Sequence, residues 1–468
     1  MAMAGPIEQA LLEVRDKLYP RAVTGKRATW RWLFVVLTQL VYFGTPWLDW
    51  QERQAVLFDL ASRKIYLLGL VFWPQDVLYL AILLVILAYS LFFFTAVAGR
   101  LWCGYACPQS VYTELFMWIE RRVEGNRAAR MKLDKEPATP RKLRLKVAKH
   151  GLWIAVALIT GFTFVGYFTP IRPLAVDLAR LSLGPWETFW ILFYGFATYA
   201  NAGWMREQVC KHMCPYARLQ GVMFDADTLV IGYDRQRGEP RGARPKALDY
   251  KAAGLGDCID CGICVHVCPT GIDIRNGLQY ECIGCGACID GCDQIMDRMG
   301  YPRGLIRYST EAALKHSPRS VARRVARPRV LAYAAVLLVI ATSAVAMLYH
   351  RGPLQVDVMH DRVAASEAGD RPLIENVYRL RIVNRDKSAR ELTIRVSGLQ
   401  EMTMLSEAQP IRIPGESIRL VPVRVRVARE QLPPGEAGIR FTIEAHVVGE
   451  AGGPKPRVIE ERAAFIAR

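Results

Sequence analysis

The chain has 468 residues, 52% of them hydrophobic, and a formal net charge of +17 at pH 7. Long uncharged apolar runs exclude a nucleic-acid-binding protein, the other class that carries so much positive charge. All twelve cysteines lie between Cys103 and Cys292, which excludes a secreted fold held by disulfides and is typical of metal-binding thiolates in a reducing compartment. The composition therefore predicts a membrane protein with basic loops and thiolate metal sites.

Five segments are apolar and long enough to span a bilayer, which takes about 20 residues. The second has no charged residue, whereas Pro46 interrupts the first and Glu187 lies at the start of the fourth. Aromatic residues at the segment ends are typical of an interfacial belt. We therefore predict an α-helical membrane bundle whose five spans are Trp32–Trp50, Val77–Gly99, Leu152–Thr169, Trp186–Trp204 and Val330–Tyr349.

Basic residues are distributed unequally between the predicted loops. Residues 100–150 contain 12 Lys and Arg and residues 205–329 contain 19, whereas residues 51–76 contain three and residues 170–185 contain two. The positive-inside rule places the two basic loops in the cytoplasm. The orientation that follows is that of a multi-pass membrane protein with a cytoplasmic N-terminus and a C-terminal region on the outer side of the membrane.

This orientation divides the chain into five predicted parts. In chain order they are a cytoplasmic N-terminal segment (1–31), a four-span membrane bundle (32–204) with a basic cytoplasmic loop (100–150), a cytoplasmic ferredoxin domain (205–329, core 250–300), a fifth transmembrane helix (330–349) and a domain on the outer side of the membrane (350–468).

Two short motifs, LWCGYACPQS and VCKHMCPYAR, share the pattern Cys-x-x-x-Cys-Pro. Cys103 and Cys107, like Cys210 and Cys214, are four residues apart, so each pair is predicted to lie on one helix face at the cytoplasmic end of a span. The proline after each pair is expected to stop or bend the helix. If the two spans are neighbours, the four sulfurs converge at the membrane surface.

Three interpretations of these pairs remain open from the residues alone. Soft thiolates select Cu(I), so the pairs are candidates for a copper-handling site, which His212 and Met213 could supplement. They could instead form a dithiol/disulfide relay or supply additional iron–sulfur ligands. Free cysteines are also common as small buried hydrophobes, but the duplication of the pattern disfavours that interpretation.

The strongest chemical signal is a pair of cysteine runs with the spacing of bacterial two-cluster ferredoxins, C-x2-C-x2-C-x3-C. The first run ends in proline and the second has Asp293 at that position. The runs consist of Cys258, Cys261, Cys264 and Cys268, and of Cys282, Cys285, Cys288 and Cys292. A structural zinc site is the alternative, but zinc sites usually have four ligands with a longer spacer between the pairs.

In this spacing the fourth cysteine of each run ligates the other cluster. The first predicted [4Fe–4S] cluster is therefore held by Cys258, Cys261, Cys264 and Cys292. The second is held by Cys282, Cys285, Cys288 and Cys268. Because no Walker, haem-attachment or flavin motif accompanies the runs, the two clusters predict an electron relay.

The tail from about Leu354 alternates apolar and polar residues between turn signals. This pattern predicts several short antiparallel strands and a β-sandwich of about 100 residues. Weaker signals flank the spans. The stretch FWPQD, which ends at Asp76, could belong to a quinol site but is better explained as an interfacial anchor. A scatter of copper-binding residue types lies near the outer end of the fifth span: Met347, His350, Met359 and His360.

The whole set of motifs resembles the CcoG/FixG/RdxA family of cytochrome oxidase accessory proteins. The resemblance is carried by FGTPWLDWQERQAVLFDL, LVFWPQDVLYLA, GRLWCGYACPQ, KHMCPYARLQGVMFDADTLV, the double ferredoxin run and, in the tail, IENVYRLRIVN. It covers nearly the whole chain. The Cys-x-x-x-Cys-Pro pairs alone are less specific, because wider families of membrane ferredoxins share them.

The resemblance implies a polytopic inner-membrane protein with a cytoplasmic ferredoxin module and an immunoglobulin-like periplasmic tail. It implies help in assembling a cbb-type haem–copper oxidase, with reduction of Cu(II) to Cu(I) in the cytoplasm. The implied partners are copper ions, a copper chaperone, a copper-exporting P-type ATPase and oxidase subunits. No motif identifies the electron donor, and the sequence leaves the oligomeric state open, a homodimer included.

Three functions therefore compete. The first is a cupric reductase that supports oxidase assembly. The second is a quinol-linked electron-transfer subunit of a membrane redox system, which the shared Cys-x-x-x-Cys-Pro pairs keep in play. The third is a copper scaffold without turnover, whose copper binding would survive removal of the clusters.

Overall fold

The computed structural model describes residues 17–50, 53–315, 325–368, 371–431, 435–448 and 456–467. The chain separates into two compact units, Met1–Ala344 and Val345–Arg468. The first unit is mainly helical and contains all twelve cysteines, and the second is built from β-strands. The predicted thiolate chemistry is therefore confined to the first unit.

The helices are numbered here in chain order within the described residues. They are α1 (Lys26–Gly44), α2 (Val77–Ala98), α3 (Leu101–Tyr105), α4 (Pro108–Glu124), α5 (Arg127–Lys135), α6 (Pro140–Val165), α7 (Ile171–Ala179), α8 (Pro185–Tyr199), α9 (Pro215–Met223), α10 (Arg235–Gly238), α11 (Ile263–His266), α12 (Ala287–Met299), α13 (Glu311–Lys315) and α14 (Pro328–Tyr349).

Three of the described helices, α2, α6 and α14, have the length and hydropathy of a membrane span. They coincide with the second, third and fifth predicted spans, although α6 begins at Pro140, well before Leu152. None of the most apolar stretch of α2 is buried inside the protein. A helix that is apolar on all sides and so exposed would be unstable in water, so it is suited to contact with lipid.

The first and fourth predicted spans differ from the observed helices. Helix α1 ends at Gly44, because Pro46 lies in a short 3-10 turn (Thr45–Trp47) that follows it, and the chain then turns into strands instead of continuing to Trp50. Helix α8 ends at Tyr199 and continues as a π-helical turn to Met205. Five spans therefore remain a prediction.

The segment between α1 and α2 forms two small antiparallel sheets. The first pairs β1 (Asp49–Trp50) with β2 (Arg53–Gln54), and the second has the order β3 (Val56–Asp59), β4 (Lys64–Leu67) and β5 (Leu70–Phe72). Gln54 fixes this segment to the helices, since its amide donates to Gly166 O at 2.7 Å and accepts from Ile171 N at 3.0 Å.

Helix α6 packs against α8 and α4. Trp153 on α6 stacks on Phe116 of α4 with ring centroids 5.3 Å apart, and its indole N–H donates to Phe116 O at 3.1 Å. Both side chains are buried. This contact brings the basic segment after α2 against the predicted third span.

The ferredoxin module is built on a strand pair, β6 (Val230–Tyr233) with β7 (Ile306–Ser309), and on helices α11 and α12. It docks on the start of α1 through Asp290, a buried residue of α12 whose carboxylate accepts from Ala28 N at 2.8 Å and Arg27 N at 3.3 Å. Asp290 thereby satisfies backbone donors that the first turn of any helix leaves free. Nearby, Gln294 donates to Thr24 O at 2.5 Å.

The second unit is a sandwich of two four-stranded antiparallel sheets, with strand orders β12–β10–β14–β15 and β11–β13–β9–β8. Alternate side chains point inward, and Tyr378, Leu380 and Phe441 are completely buried between the sheets. The strands are β8 (Leu354–Ala368), β9 (Arg371–Asn384), β10 (Arg390–Ser397), β11 (Thr403–Leu405), β12 (Ile411–Ile413), β13 (Ser417–Ala428), β14 (Gly435–Val447) and β15 (Arg457–Ala467).

Candidate redox centre

The structure groups the ferredoxin cysteines in the crossed arrangement that the spacing predicts. Cys292 on α12 faces the first three cysteines of the other run, Cys264, Cys258 and Cys261. Cys261 is exposed, whereas the other three are buried. The first predicted cluster therefore has one ligand at the protein surface.

The second group lines one cavity of the module. Its walls include the four cysteines assigned to the second cluster, together with Thr270, Ile272 and Ile274. The fourth cysteine of the first run is thus placed with the first three of the second run. The grouped cysteines are Cys268, Cys282, Cys285 and Cys288, and Cys264 of the first group also reaches the wall of this cavity.

The chemistry of these donors fits iron–sulfur clusters. Burial raises the pKa of the Cys282 thiol to about 12, and the neighbouring Cys285 and Cys268 act in the same direction. Burial followed by Cys264 likewise raises the pKa of Cys292 to about 12. Buried sulfurs this close cannot ionise together unless positive charge accompanies them, and bound iron supplies that charge.

Left-handed glycines shape the backbone around these cysteines, with φ near +65° at Gly262, +70° at Gly284 and +72° at Gly286.

The residue that replaces proline in the second run has a structural role. Asp293 continues α12, and its carboxylate accepts from Gly304 N at 2.9 Å. The turn that a proline would make is therefore replaced by helix.

The first Cys-x-x-x-Cys-Pro pair does not lie on one continuous helix, so that prediction is wrong. Cys103 belongs to α3, which ends at Tyr105, and Cys107 precedes α4 with extended backbone angles. Pro108 is the first residue of α4. Proline favours this position because its fixed φ suits a helix start and its missing N–H is not needed there, while it disfavours helical angles in the residue before it.

The second pair repeats this arrangement. Cys210 lies in a π-helical turn, Val209–Met213, and Cys214 precedes α9, which begins at Pro215. Each proline therefore starts the next helix and fixes the second cysteine of its pair at the junction. His212 and Met213, the proposed supplementary ligands, are both exposed.

The structure brings the four cysteines of the two pairs together. Cys210 lies within electrostatic range of Cys107, Cys103 and Cys214, and burial followed by these neighbours raises its pKa to about 12. Burial followed by Cys107 raises the pKa of Cys103 to about 11. We call Cys103, Cys107, Cys210 and Cys214 the four-cysteine site.

Gln220 on α9 adds a polar contact to this site. The Cys103 thiol donates to the Gln220 amide oxygen at 3.4 Å, and Gln220 is fully buried. Among the described residues, no three His, Cys, Asp or Glu side chains are placed to hold one metal ion. A single ion at the four-cysteine site would thus need a pair of sulfurs or a small closure of the site.

Arg100 connects the four-cysteine site to the second cluster group. This buried guanidinium donates to Tyr280 O and Ala217 O, and to Cys282 O at 3.5 Å. Its charge faces the sulfurs of both groups, with Cys103 and Cys282 the strongest partners. A fixed positive charge between the groups lowers the energy of thiolates on either side.

Sequence reasoning treated Arg100 only as one of the basic loop residues. The sequence feature that could have singled out Arg100 is its position in GRLWC, directly after the second predicted span. An arginine at the end of a span usually extends its side chain into water. Its Nε atom has no hydrogen-bond partner in the described part of the chain.

Gly104 allows the backbone beside the four-cysteine site to contact the backbone of the second cluster group. A Cβ atom at this position would lie 2.7 Å from Cys285 Cα and 2.8 Å from Cys285 N. The backbone of α3 therefore lies directly on the loop that carries the second cluster group.

We expect Gly104→Val to separate these two segments, since backbone on both sides leaves the new side chain no room. The second cluster should become labile, with about half of the bound iron lost on gel filtration, while the first is retained. Iron analysis and absorbance near 400 nm would measure this, with Gly151→Val as control because a Cβ there meets nothing within 4 Å. Equal iron retention in both variants would contradict the expectation.

The weaker candidates are engaged in ordinary structural contacts. His360 hydrogen-bonds Asn376 at 2.8 Å and packs edge-on against Tyr378, while Met359 and His350 are exposed. The Asp76 carboxylate accepts from Trp73 N at 3.0 Å just before α2.

Three domain families match the chain. Residues 80–126 match a 4Fe-4S binding domain, residues 205–311 a 4Fe-4S dicluster domain and residues 344–468 the immunoglobulin-like fold at the C-terminus of FixG. Fold and site together define an iron–sulfur redox protein with ferredoxin domains and an immunoglobulin-like C-terminal domain. The predicted ferredoxin and immunoglobulin-like parts are thereby confirmed.

Curated relatives extend over most of the chain. The nitrogen fixation protein FixG of Rhizobium meliloti (strain 1021) is 36% identical over 92% of this chain and 89% of FixG. The protein RdxB of Cereibacter sphaeroides is 38% identical over 86% of this chain and 87% of RdxB. The chain belongs to the FixG/RdxA/RdxB family, which confirms the resemblance seen in its motifs.

More distant similarities cover parts of the chain. The ferredoxin-type protein NapH of Escherichia coli (strain K12) is 26% identical over 37% of this chain and 61% of NapH. Among solved structures, a FixG-related protein from Vibrio parahaemolyticus is 19% identical, covers 25% of this chain and 97% of that chain, and has a TM-score of 0.20.

Proposed function

We propose that this protein is a cupric reductase, which passes electrons from two [4Fe–4S] clusters of the ferredoxin module to Cu(II) at the four-cysteine site. The observation that carries the proposal is the convergence of Cys103, Cys107, Cys210 and Cys214 beside the second cluster group. Arg100 and the contact at Gly104 connect the four-cysteine site to the second cluster group in the interior of the protein.

The reaction balances as a one-electron transfer. Each Cu(II) ion takes one electron and becomes Cu(I), and one reduced cluster is reoxidised. Thiolates favour the Cu(I) product, because soft sulfur ligands select the softer ion. A pair such as Cys103 and Cys107 is enough to hold Cu(I), which leaves the other pair free to receive or release it.

The cellular role that we propose is copper delivery for assembly of a cbb-type cytochrome c oxidase. Reduction would occur on the cytoplasmic side of the bacterial inner membrane, and the second unit would lie in the periplasm, as the basic-loop asymmetry predicts. A copper chaperone, a copper-exporting P-type ATPase and oxidase subunits are the proposed partners.

The test uses full-length protein with reconstituted clusters, reduced by dithionite that is then removed under anaerobic conditions. Cu(II) is added with a Cu(I)-specific chelator, and cluster absorbance and chelator colour are recorded together. We expect one Cu(I) for each cluster oxidised. The double variant Cys103→Ala, Cys210→Ala should slow this step at least tenfold, whereas His350→Ala, an exposed imidazole outside the site, should leave it unchanged.

Iron content distinguishes the remaining interpretations of the four-cysteine site. Additional cluster ligands would raise the iron from about eight to about twelve atoms per chain, and the double variant would lose the difference. Reduced clusters that do not respond to Cu(II) would refute the reductase. Copper binding that survives removal of the clusters, without turnover, would instead favour the scaffold.

A further inference from the structure

A cavity of about 450 Å³ is lined by the first part of α6, by the segment that follows the π-helical turn after α8, and by the segment before α1. No cysteine lines it, so the proposed function makes no use of it. We call it the basic cavity, because the charged side chains of its wall are four cations and one carboxylate: Lys17, Lys146, Lys149, Arg206 and Glu207. Its size and charge suit the anionic part of a ligand.

The carboxylates that pair with these cations lie behind the cavity wall. They are Glu120, Glu124 and Asp134. Arg206 donates to Glu120 at 3.1 Å and Lys149 lies 2.9 Å from Glu124, and both glutamate side chains are completely buried. The four cations of the wall and Arg130, the fifth in this ion network, thus face three carboxylates behind the wall and Glu207 on it. One positive charge is left over, which is the charge that a phosphodiester neutralises.

Arg206 has hydrogen-bonding capacity that the protein does not use. Its side chain is only 7% exposed, and it donates from Nε to Gly203 O at 3.0 Å and from Nη2 to Glu120 at 3.1 Å. Its Nη1 atom is buried and has no hydrogen-bond partner among the described residues. The backbone of Arg206 has φ near +36°, a conformation that a residue with a side chain adopts only where other contacts hold it. A buried, constrained guanidinium with a free N–H group indicates a ligand that accepts hydrogen bonds.

The basic cavity lies at the depth of the membrane surface in the predicted topology. Lys146 and Lys149 precede the predicted third span, and Arg206 follows the fourth. Trp204 also lines the cavity and is 68% exposed, as is typical of an interfacial tryptophan. On the membrane side, α8 exposes apolar side chains such as Phe196. Basic pockets between helices at the cytoplasmic surface suit lipid headgroups, whose acyl chains need an apolar surface beside the charged one.

We propose that the basic cavity binds the phosphate group of an anionic phospholipid of the cytoplasmic leaflet. The phosphate oxygens would accept from Arg206 Nη1 and from the ammonium groups of Lys17 and Lys146, and the acyl chains would lie along α6 and α8. A zwitterionic headgroup is disfavoured, because the cations of the wall repel its own positive group. Since Cys210 follows Arg206 by four residues, the lipid would also hold the four-cysteine site at the membrane surface. The inference does not depend on the copper chemistry.

The test uses full-length protein in detergent and isothermal titration calorimetry. The ligands are dihexanoyl-phosphatidylglycerol, dihexanoyl-phosphatidylcholine and inorganic phosphate, which offers the same oxygens without a lipid. We expect saturable binding of the phosphatidylglycerol, with a Kd at least about tenfold below those of the other two. Lys17→Gln and Lys146→Gln should each raise this Kd about tenfold, as loss of a hydrogen bond between charged groups implies. Lys132→Gln, at an exposed lysine of α5 outside the cavity wall, is the matched control.

A measurement on the wild type alone makes the result independent of how the variants fold. Raising the salt from about 50 mM to about 500 mM should raise the Kd of the phosphatidylglycerol severalfold, because charge holds the ligand. Binding that does not saturate, that ignores salt, or that is the same in Lys17→Gln, Lys146→Gln and Lys132→Gln would overturn the proposal. Inorganic phosphate bound as tightly as phosphatidylglycerol would overturn the lipid as ligand.

Discussion

Replacing Cys285 with alanine is expected to remove the second cluster and with it all reduction of Cu(II). Cys285 is buried in the wall of the second cluster cavity and lies against Gly104, on the side of the four-cysteine site. Without it, the iron content should fall from about eight to about four atoms per chain. Iron analysis and the visible absorbance of the anaerobic protein measure the loss.

Each predicted cluster takes three cysteines from one run and the fourth from the other run, so variants of the fourth cysteines are the controls for this experiment. Cys268→Ala should remove the same cluster as Cys285→Ala, although Cys268 belongs to the other run of the sequence. Cys292→Ala should remove the first cluster instead, and electron paramagnetic resonance of the reduced protein would tell the two remaining clusters apart. If Cys268→Ala and Cys292→Ala lost the same cluster, the grouping would be wrong.

The Glu120→Leu variant is expected to lose about 3–5 kcal/mol of stability, the usual consequence of removing one partner from a buried ion network. Glu120 on α4 is completely buried, and its carboxylate accepts from Arg130 at 2.9 Å and from Arg206 at 3.1 Å. Thermal unfolding in detergent would measure the change. Glu311→Gln, at an exposed position, is the control, and a similar melting temperature for both variants would contradict the expectation.

The same carboxylate predicts a dependence of stability on pH. Burial alone would raise the pKa of Glu120, but Arg206 and Arg130 outweigh burial and lower it below the ordinary value of 4.5. Because the pKa is lower in the folded state, the stabilisation is complete above pH 4.5 and is lost as the pH falls through the folded-state value. Wild type should therefore lose more stability than Glu120→Leu between pH 5 and about pH 3.

Patterns with a strict period or spacing predicted most of the structure. The cysteine spacing predicted both cluster groups that the structure assembles, and the alternation after Leu354 predicted the sandwich. The second and fifth predicted spans coincide with long apolar helices, and they were clear in the sequence because charge is absent across them. Each of these signals reflects one local requirement, such as ligand geometry or burial of one strand face.

The remaining features depend on contacts between distant segments. Cys103 and Cys107 are spaced as on a helix, but only the tertiary structure shows that the helix ends between them. Arg100 has the sequence context of an interfacial anchor, and its burial depends on Ala217 and Tyr280, which are more than a hundred residues away. The basic cavity is formed by three segments that are far apart in the chain and had no motif of its own.

The cap that Asp290 places on α1 has a consequence for how electrons move. Many ferredoxins are carriers that must find and leave their partner, and charged carriers of this kind slow down when salt screens their attraction. Here the ferredoxin fold is fastened to helix α1 by backbone hydrogen bonds from Ala28 and Arg27. In the proposed function, the electron would therefore move within one connected chain, and its transfer would not depend on a diffusional encounter that salt or viscosity slows.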